Sequence, residues 1–179
     1  VVGVDDSGAV FPRDGSGPRV LRRATLQDQA KANENVRMNK MAMKTCVEKA
    51  GKYNLAMSLV KVRYSFERSV LLVLFTADDR MDFREMIKDL AGEIHARVEM
   101  KQIGVRDEAG IVGGIGPCGR GLCCCSWLHH FESINVKMAK AQRLSLNPTA
   151  MSGMCGRLKC CLRYEYDCYR EYSKRLPND

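Results

Sequence analysis

The alternation of apolar and polar side chains is clearest in the middle of the chain, where it repeats every two residues. Val60, Val62, Tyr64 and Phe66 alternate with charged and small polar residues, and residues 70–76 follow as a nearly continuous apolar run. A period of two is typical of a strand with one buried face, and an apolar run of this length is typical of a more deeply buried strand. The short polar stretch between the two runs predicts a β-hairpin.

A helical period flanks the hairpin on both sides. After Asp82, apolar residues recur at intervals of three and four as far as Ile94, which predicts an amphipathic helix that starts with a capping box between Asp82 and Glu85. Upstream of the hairpin, Thr25 is the predicted N-cap of a long helix with a thinner apolar stripe. We expect that helix to end at Gly51.

An alternating segment at residues 97–102 predicts a third strand, so the order is helix, strand, strand, helix, strand. The fold class is therefore α+β, with a small antiparallel-containing sheet and helices on one face. A glycine-rich loop at 103–115 is expected next, then helices at 133–144 and from about 155 to 174. We predict a scaffold at 25–102 and a Cys-rich module of loops and helices at 103–179.

The first 24 residues hold several glycines and prolines among acidic residues, which is a loop signal. They contain too few apolar residues to form a core, so we interpret residues 1–24 as the remnant of a larger, truncated N-terminal segment.

One nine-residue motif occurs twice in the C-terminal half. The pattern Gly-x-Cys-Gly-Arg-x-x-Cys-Cys fits residues 116–124 and again, 37 residues further on, residues 153–161. Eight of the nine cysteines lie between Cys118 and Cys168. Adjacent cysteines bridge each other only with strain, so this clustering favours a metal site over disulfides. It also favours a reducing compartment such as the cytosol. We predict two half-sites of one thiolate metal centre, or two related centres.

The cysteine spacing limits the kind of centre. No two cysteines are spaced Cys-x-x-Cys, which argues against a zinc-ribbon knuckle or a thioredoxin-type redox pair. The recurring Cys-x4-Cys interval is closer to ferredoxin runs, and soft thiolates select zinc or iron–sulfur clusters. Arg120 and Arg157 are predicted to donate hydrogen bonds to sulfur and lower cysteine pKa values, with Gly119 and Gly156 turning backbone N–H groups toward sulfur.

Other cysteines and the histidines are weaker candidates. Cys46 lies on a helical apolar stripe and is predicted to be a buried packing thiol, and Cys125 breaks the repeat and is predicted not to ligate. Cys161 and Cys168 are seven residues apart and share one helical face, so packing is an alternative role for them. One of the adjacent histidines, His129 or His130, is a less favoured candidate for a fourth ligand.

Charge and composition indicate the class of partner. The net charge is +8, and residues 101–179 carry 12 basic and 7 acidic residues. This excess suits a polyanion such as RNA or an acidic protein surface. Arginines and tyrosines between Arg163 and Tyr172 suit base stacking, although such a pattern is more often the flank of a helix. No apolar run is long enough to insert in a bilayer, so we expect no membrane insertion. The sequence places no base beside a cysteine, so we expect no enzyme.

The motifs and their flanking segments resemble a known family. The matching segments are IGVRDEA at 103–109, GGIGPCGR at 113–120, LCC at 122–124, KMAK at 137–140, LSLNP at 144–148 and CGR at 155–157. They are similar to the bacterial RicT (YaaT) proteins of the polymerase-suppressor (PSP) C-terminal domain family, over about residues 21–172. Cys125 and Gly121 depart from the family's usual residues, and the family's N-terminal β-rich segment is mostly absent.

The resemblance implies a non-catalytic regulatory subunit. Proteins of this family assemble with two small helical partners, RicA and RicF, into a complex that carries two 4Fe-4S clusters. That complex assists the membrane-bound endoribonuclease RNase Y in mRNA processing and maturation, and in sporulating bacteria it affects sporulation, competence and biofilm formation. RNA contact would then be indirect.

The resemblance also implies a set of ligands by motif position. These are Cys118, Cys123, Cys124, Cys155 and Cys160, with Cys161 as a second-tier candidate. An odd number of ligands is consistent with partner chains completing the coordination. The alternative is a zinc-stabilised RNA-binding protein without a redox role.

Overall fold

The computed structural model describes residues 22–79 and 81–175. The predicted N-terminal remnant therefore lies outside the described residues except for residues 22–24. The helices are α1 (Leu26–Lys52), α2 (Arg84–Ile94), α3 (Val105–Val112), α4 (Cys123–Ser126), α5 (Val136–Ala141), α6 (Pro148–Met151) and α7 (Cys161–Ser173). The strands are β1 (Ser58–Tyr64), β2 (Val70–Thr76) and β3 (Arg97–Gln102). Within the described ranges, none of the helices combines the length and apolar character needed to span a bilayer.

The chain divides into two compact units, and the division falls inside α1 between Glu34 and Asn35. The described part of the first unit contains the start of α1. Thr25 is confirmed as its N-cap, since the Thr25 hydroxyl accepts a hydrogen bond from the backbone N–H of Asp28 at 3.2 Å. Asp28 Oδ2 accepts in return from the N–H of Thr25 at 2.8 Å. The hydrogen bond from Arg22 lowers the pKa of the Asp28 carboxyl below its usual range.

The second unit is built on a three-stranded mixed sheet in the order β1-β2-β3. The predicted hairpin is confirmed, because β1 pairs antiparallel with β2 and places Val62 opposite Val73. The third strand pairs with the other edge of β2 in the parallel direction, with Leu71 opposite Val98. A parallel pair needs a crossover connection, which α2 provides between β2 and β3. The α+β fold class is therefore confirmed.

One face of this sheet packs against residues 35–52 of α1 and against α2 to form the main core. Leu71 and Val73 of β2 are fully buried, as are Met86 and Leu90 of α2. The remaining buried members of this core are Ala42, Cys46, Ala50, Val62 and Tyr64. A second, smaller core joins the helices that follow the sheet and consists of Met138, Ala139, Met151 and Leu162. The buried Gln142 fixes α5 on α7, since its Nε2 donates to the carbonyl oxygen of Leu162 at 2.6 Å.

Both predicted helix ends near the hairpin differ from the structure by one residue. The first helix continues through Gly51 to Lys52, and the left-handed residue after it is Asn54, with φ 48°. At the start of α2, Asp82 Oδ1 accepts from the N–H of Arg84 at 3.0 Å. The predicted capping box is wrong, because the Glu85 carboxylate pairs with Lys88 at 3.0 Å.

The C-terminal half departs further from the prediction. The expected glycine-rich loop contains α3, which Gly104 precedes and whose Gly110 faces α4. A Cβ at Gly110 would lie 3.1 Å from the carbonyl oxygen of Cys124, so glycine permits close packing of these helices. The helix expected at 133–144 is limited to α5. The helix expected from about 155 begins at Cys161, because residues 153–160 form a tight turn.

Asp89 of α2 receives three hydrogen bonds from α1 and the residue after it. Its carboxylate accepts from Lys52 at 3.0 Å and from the Tyr53 hydroxyl at 3.0 Å, and it pairs with Lys49 at 3.1 Å. These contacts, led by Lys52, lower the pKa of Asp89 to about 2. Because an unfolded carboxyl titrates near pH ~4, ionised Asp89 stabilises the fold above that pH.

Asp89→Asn should therefore lower the urea concentration at the unfolding midpoint at pH 7. The difference from the parent should shrink between about pH 4 and pH 2, because acid protonates the parent carboxylate and removes the same interaction. Urea unfolding followed by circular dichroism at several pH values measures this. Glu85→Gln, which removes only the exposed pair with Lys88, is the control. A difference independent of pH would contradict the role of Asp89.

Candidate metal centre

The two copies of the cysteine motif fold into the same turn. In each copy, the backbone N–H of the first glycine donates to the arginine carbonyl oxygen four residues later at 2.8 Å. Three backbone contacts recur at the 37-residue offset. The hydrogen bond Gly116–Arg120 is repeated as Gly153–Arg157, and the β-bridge Ile115–Gly121 is repeated as Ser152–Leu158. The hydrogen bond Leu122–Gly114 is repeated as Lys159–Met151. The sequence repeat is therefore also a repeat of backbone structure.

Each turn reverses at a glycine in the left-handed region. Gly119 has φ 78° and Gly156 has φ 74°, a conformation that favours glycine over residues with a Cβ. The N–H of Gly119 donates to the carbonyl oxygen of Gly116 at 2.9 Å, and that of Gly156 donates to Gly153 at 3.0 Å. These N–H groups close the turn instead of pointing at sulfur. The glycines thus shape the loops that carry the cysteines.

Both turns line one cavity of about 240 Å³. The five cysteines implied as ligands reach it together with the second-tier candidate, so the lining cysteines are Cys118, Cys123, Cys124, Cys155, Cys160 and Cys161. Three come from each copy of the motif. The sequence alone left open whether the copies serve one centre or two, and the structure brings them to a single cavity.

Equivalent residues of the two copies touch each other. Trp127 and Tyr164 are 37 residues apart, and their rings meet edge to face with centroids 4.5 Å apart. Cys123 and Cys160, also equivalent, lie close enough that the Cys160 thiol raises the pKa of Cys123. The two motif copies therefore meet each other through equivalent residues.

Arg106 of α3 joins the second turn to the first half of the module. Its guanidinium donates to the carbonyl oxygen of Leu158 at 3.1 Å and lies over the Phe131 ring at 4.9 Å. The same side chain lines the cysteine cavity. Sequence reasoning overlooked Arg106, although it lies within the IGVRDEA segment that carries the family resemblance. Since α3 also contacts α4 and β1, it links the cavity to the sheet.

Three of the lining thiols favour their neutral form. Burial raises the pKa of Cys123, Cys124 and Cys161 above the ordinary value. Neighbouring thiols raise these pKa values further, Cys160 acting on Cys123 and Cys155 on Cys124. Each effect penalises a second negative charge in the cavity. A bound metal would compensate that charge and displace the protons.

The predicted arginine partners lie outside the cavity lining. The residues Arg120 and Arg157 are both exposed and neither lines the cavity. The pKa shifts of the lining thiols are upward, and no arginine is among their causes. A contact of these two arginines with sulfur remains a prediction.

The other cysteines are separate from the cavity. Cys46 is fully buried in the main core, where burial raises its pKa to about 11, so its predicted packing role is confirmed. Cys125 and Cys168 are exposed and do not line the cavity. The histidine pair is also exposed, and His130 lines a different cavity of about 200 Å³.

The donor set suits a soft metal, but the described residues do not form a finished site. No cluster of three or more His, Cys, Asp or Glu side chains within residues 22–79 and 81–175 is arranged to hold a metal ion. The cavity lining contains six thiols and no carboxylate or imidazole. Such a set of thiol donors fits an iron–sulfur cluster or zinc and disfavours magnesium or calcium.

Comparison with known proteins identifies two matching regions. Residues 18–103 match the family described as PSP1 C-terminal conserved region, and residues 133–176 match PSP1-like protein, third domain. The chain is 47% identical over 175 residues to "Stage 0 sporulation protein YaaT" of Bacillus subtilis (strain 168). That alignment covers 98% of this chain but 62% of the relative, so the chain spans less than two thirds of that protein. No solved structure matches the chain.

Replacing the turn glycines tests the geometry of the two loops. Gly119→Ala and Gly156→Ala should each lower the free energy of unfolding by about 1–2 kcal/mol, because alanine is strained in the left-handed region. Urea unfolding measures the change. Gly121→Ala is the matched control, since its Cβ would enter open space and its φ is not positive. Equal stability of all three variants would contradict the turn geometry.

Proposed function

This chain belongs to the PSP1 family, and we propose that it is a non-catalytic iron–sulfur-binding regulatory subunit of a complex that assists RNase Y in mRNA processing and maturation. The convergence of both motif copies on one cavity lined by six cysteines carries the proposal. Family membership supports it, because the motifs that bear the resemblance are the two turns that form this cavity.

The proposed thiolate ligands, for 4Fe-4S clusters that take four thiolates each and are shared with partner chains, are Cys118, Cys123, Cys124, Cys155 and Cys160, with Cys161 as a second-tier candidate. When bound, such a cluster supplies one-electron redox chemistry and sensitivity to oxygen. The chain's own part is to place the thiols in one cavity and to fix the second turn to α3 through Arg106.

Partner chains complete this coordination in our proposal. Cys118 is exposed, so one edge of the cavity is open to another protein. We propose RicA-like and RicF-like small helical proteins as those partners.

A regulatory role is supported by the chemistry of the cavity. Its charged lining residues are Arg106 and Lys159, and the described lining holds no carboxylate or imidazole that would act as a base beside a thiol. The raised pKa values of three lining thiols also make them weak nucleophiles at neutral pH. We propose that the subunit works in the cytoplasm and, in spore-forming bacteria, influences sporulation, competence and biofilm formation, as the name of its relative supports for sporulation.

The alternative function is that of a zinc-stabilised RNA-binding protein. Exposed tyrosines on α7 favour it, namely Tyr164, Tyr169 and Tyr172. Against it, Arg163 is paired with Glu132 at 2.7 Å and with Asp167 at 2.9 Å, so this cation is already engaged by the protein. We therefore favour indirect contact with RNA.

The Cys118→Ser and Cys155→Ser variants test the ligand assignment. Each removes one thiol from an equivalent place in the two turns, so each should lower the iron and sulfide bound per chain by about half or more. Metal and sulfide analysis after purification without oxygen measures the loss. Cys125→Ser is the control, because Cys125 is exposed and does not line the cavity. Equal iron in all three variants would refute the assignment.

A further inference from the structure

The central strand β2 is apolar on both of its faces. Toward the core, Leu71 and Val73 are fully buried. On the opposite face, Val70, Leu72 and Leu74 are partly exposed. A sheet that shows one face to water usually carries polar residues there. The outward apolar row is therefore a feature that the main core does not explain.

Charged side chains border this row on both neighbouring strands. In the pairing register, Leu72 lies between Arg63 of β1 and Glu99 of β3. Leu74 lies in the same way between Lys61 and Lys101. Paired residues share a face of the sheet, and all four of these charged residues are exposed.

We name this surface the outer face. Its members are Lys61, Arg63, Val70, Leu72, Leu74, Arg97, Glu99 and Lys101. Four members are basic and one is acidic, and the acidic Glu99 is paired with Arg97 at 3.3 Å. The outer face therefore combines an apolar centre with a net positive border.

We propose that the outer face docks an acidic amphipathic helix of a partner protein. Two residues along a strand span about 6.6–6.8 Å, which is close to the ~6 Å between residues i and i+4 of a helix. A helix lying along β2 would place its apolar i and i+4 residues against Leu72 and Leu74. Its flanking carboxylates would then meet Lys61 and Arg63 on one side and Lys101 on the other.

The composition of the outer face favours a protein over single-stranded RNA. Single-stranded nucleic acids bind by stacking their bases on aromatic side chains, and none of the eight members is aromatic. An aliphatic centre instead suits the aliphatic side chains of a helix. None of the members lines the cysteine cavity, so this docking is independent of the cluster.

Site-specific photocrosslinking of the full-length protein in its native cells tests the proposal. A photoreactive amino acid replaces Lys61 on the outer face, and in a control protein it replaces Lys40, which is exposed on α1. Cross-linked peptides are identified by mass spectrometry, and cross-linked RNA is detected by ribonuclease digestion. The expected product at position 61 is a protein segment rich in Asp and Glu, with apolar residues spaced three and four apart.

Charge reversal then tests the complementarity. Arg63→Glu combined with Lys101→Glu should reduce the yield of that product about tenfold or more, because like charges then face each other. Lys40→Glu combined with Lys44→Glu is the matched control and should leave the yield unchanged. Circular dichroism verifies that both double variants are folded.

Several results would overturn the proposal. They are a product with RNA, a product with a second copy of this chain, a product with a basic segment, a yield no higher than at position 40, or a yield that charge reversal does not lower.

Discussion

The cysteine cavity depends on one backbone constraint, the left-handed conformation of a glycine in each motif copy. Gly119 and Gly156 take φ 78° and 74°, and each reverses the chain within a turn closed by the same hydrogen bonds. The turn places one cysteine before the reversal and two after it. Because both copies repeat this arrangement and face each other, three thiols from each reach the same space. A side chain with a Cβ at either glycine would strain that geometry.

The helix α3 connects this cavity to the sheet. It contacts β1 on one side and α4 on the other, with Gly110 allowing close approach to the backbone of Cys124. Its Arg106 then reaches the second turn through the carbonyl oxygen of Leu158. The small core between α5, α6 and α7 supports the second turn from behind, through buried residues such as Leu162. A disturbance in α3 would thus reach both turns at once.

The parts of the fold that follow from local periodicity were predictable from sequence. The hairpin, α2 and β3 each carry a strong period of two or of three to four, and their burial follows it. The helix α3 was not predictable in this way, because Gly104 and Gly110 weaken its helical sequence signal. Tertiary contact with α4 stabilises this helix instead. The start of α7 was predicted six residues too early, since Arg157, Leu158 and Lys159 are good helix formers but lie in the same kind of turn as the first motif copy. The sequence repeat itself indicated that residues 153–161 form the same turn as residues 116–124. Convergence on one cavity was beyond the sequence, because it depends on packing between segments far apart in the chain.

The central claim is that this cavity, completed by partner chains, holds an iron–sulfur cluster. The most direct test is the visible absorption spectrum of the full-length protein, purified without oxygen together with RicA-like and RicF-like partners, with iron, sulfide and zinc measured on the same sample. The account predicts a brown complex with a broad band at roughly 400 nm and with iron and sulfide in similar amounts. A colourless complex, whether it holds stoichiometric zinc or no metal, would contradict it.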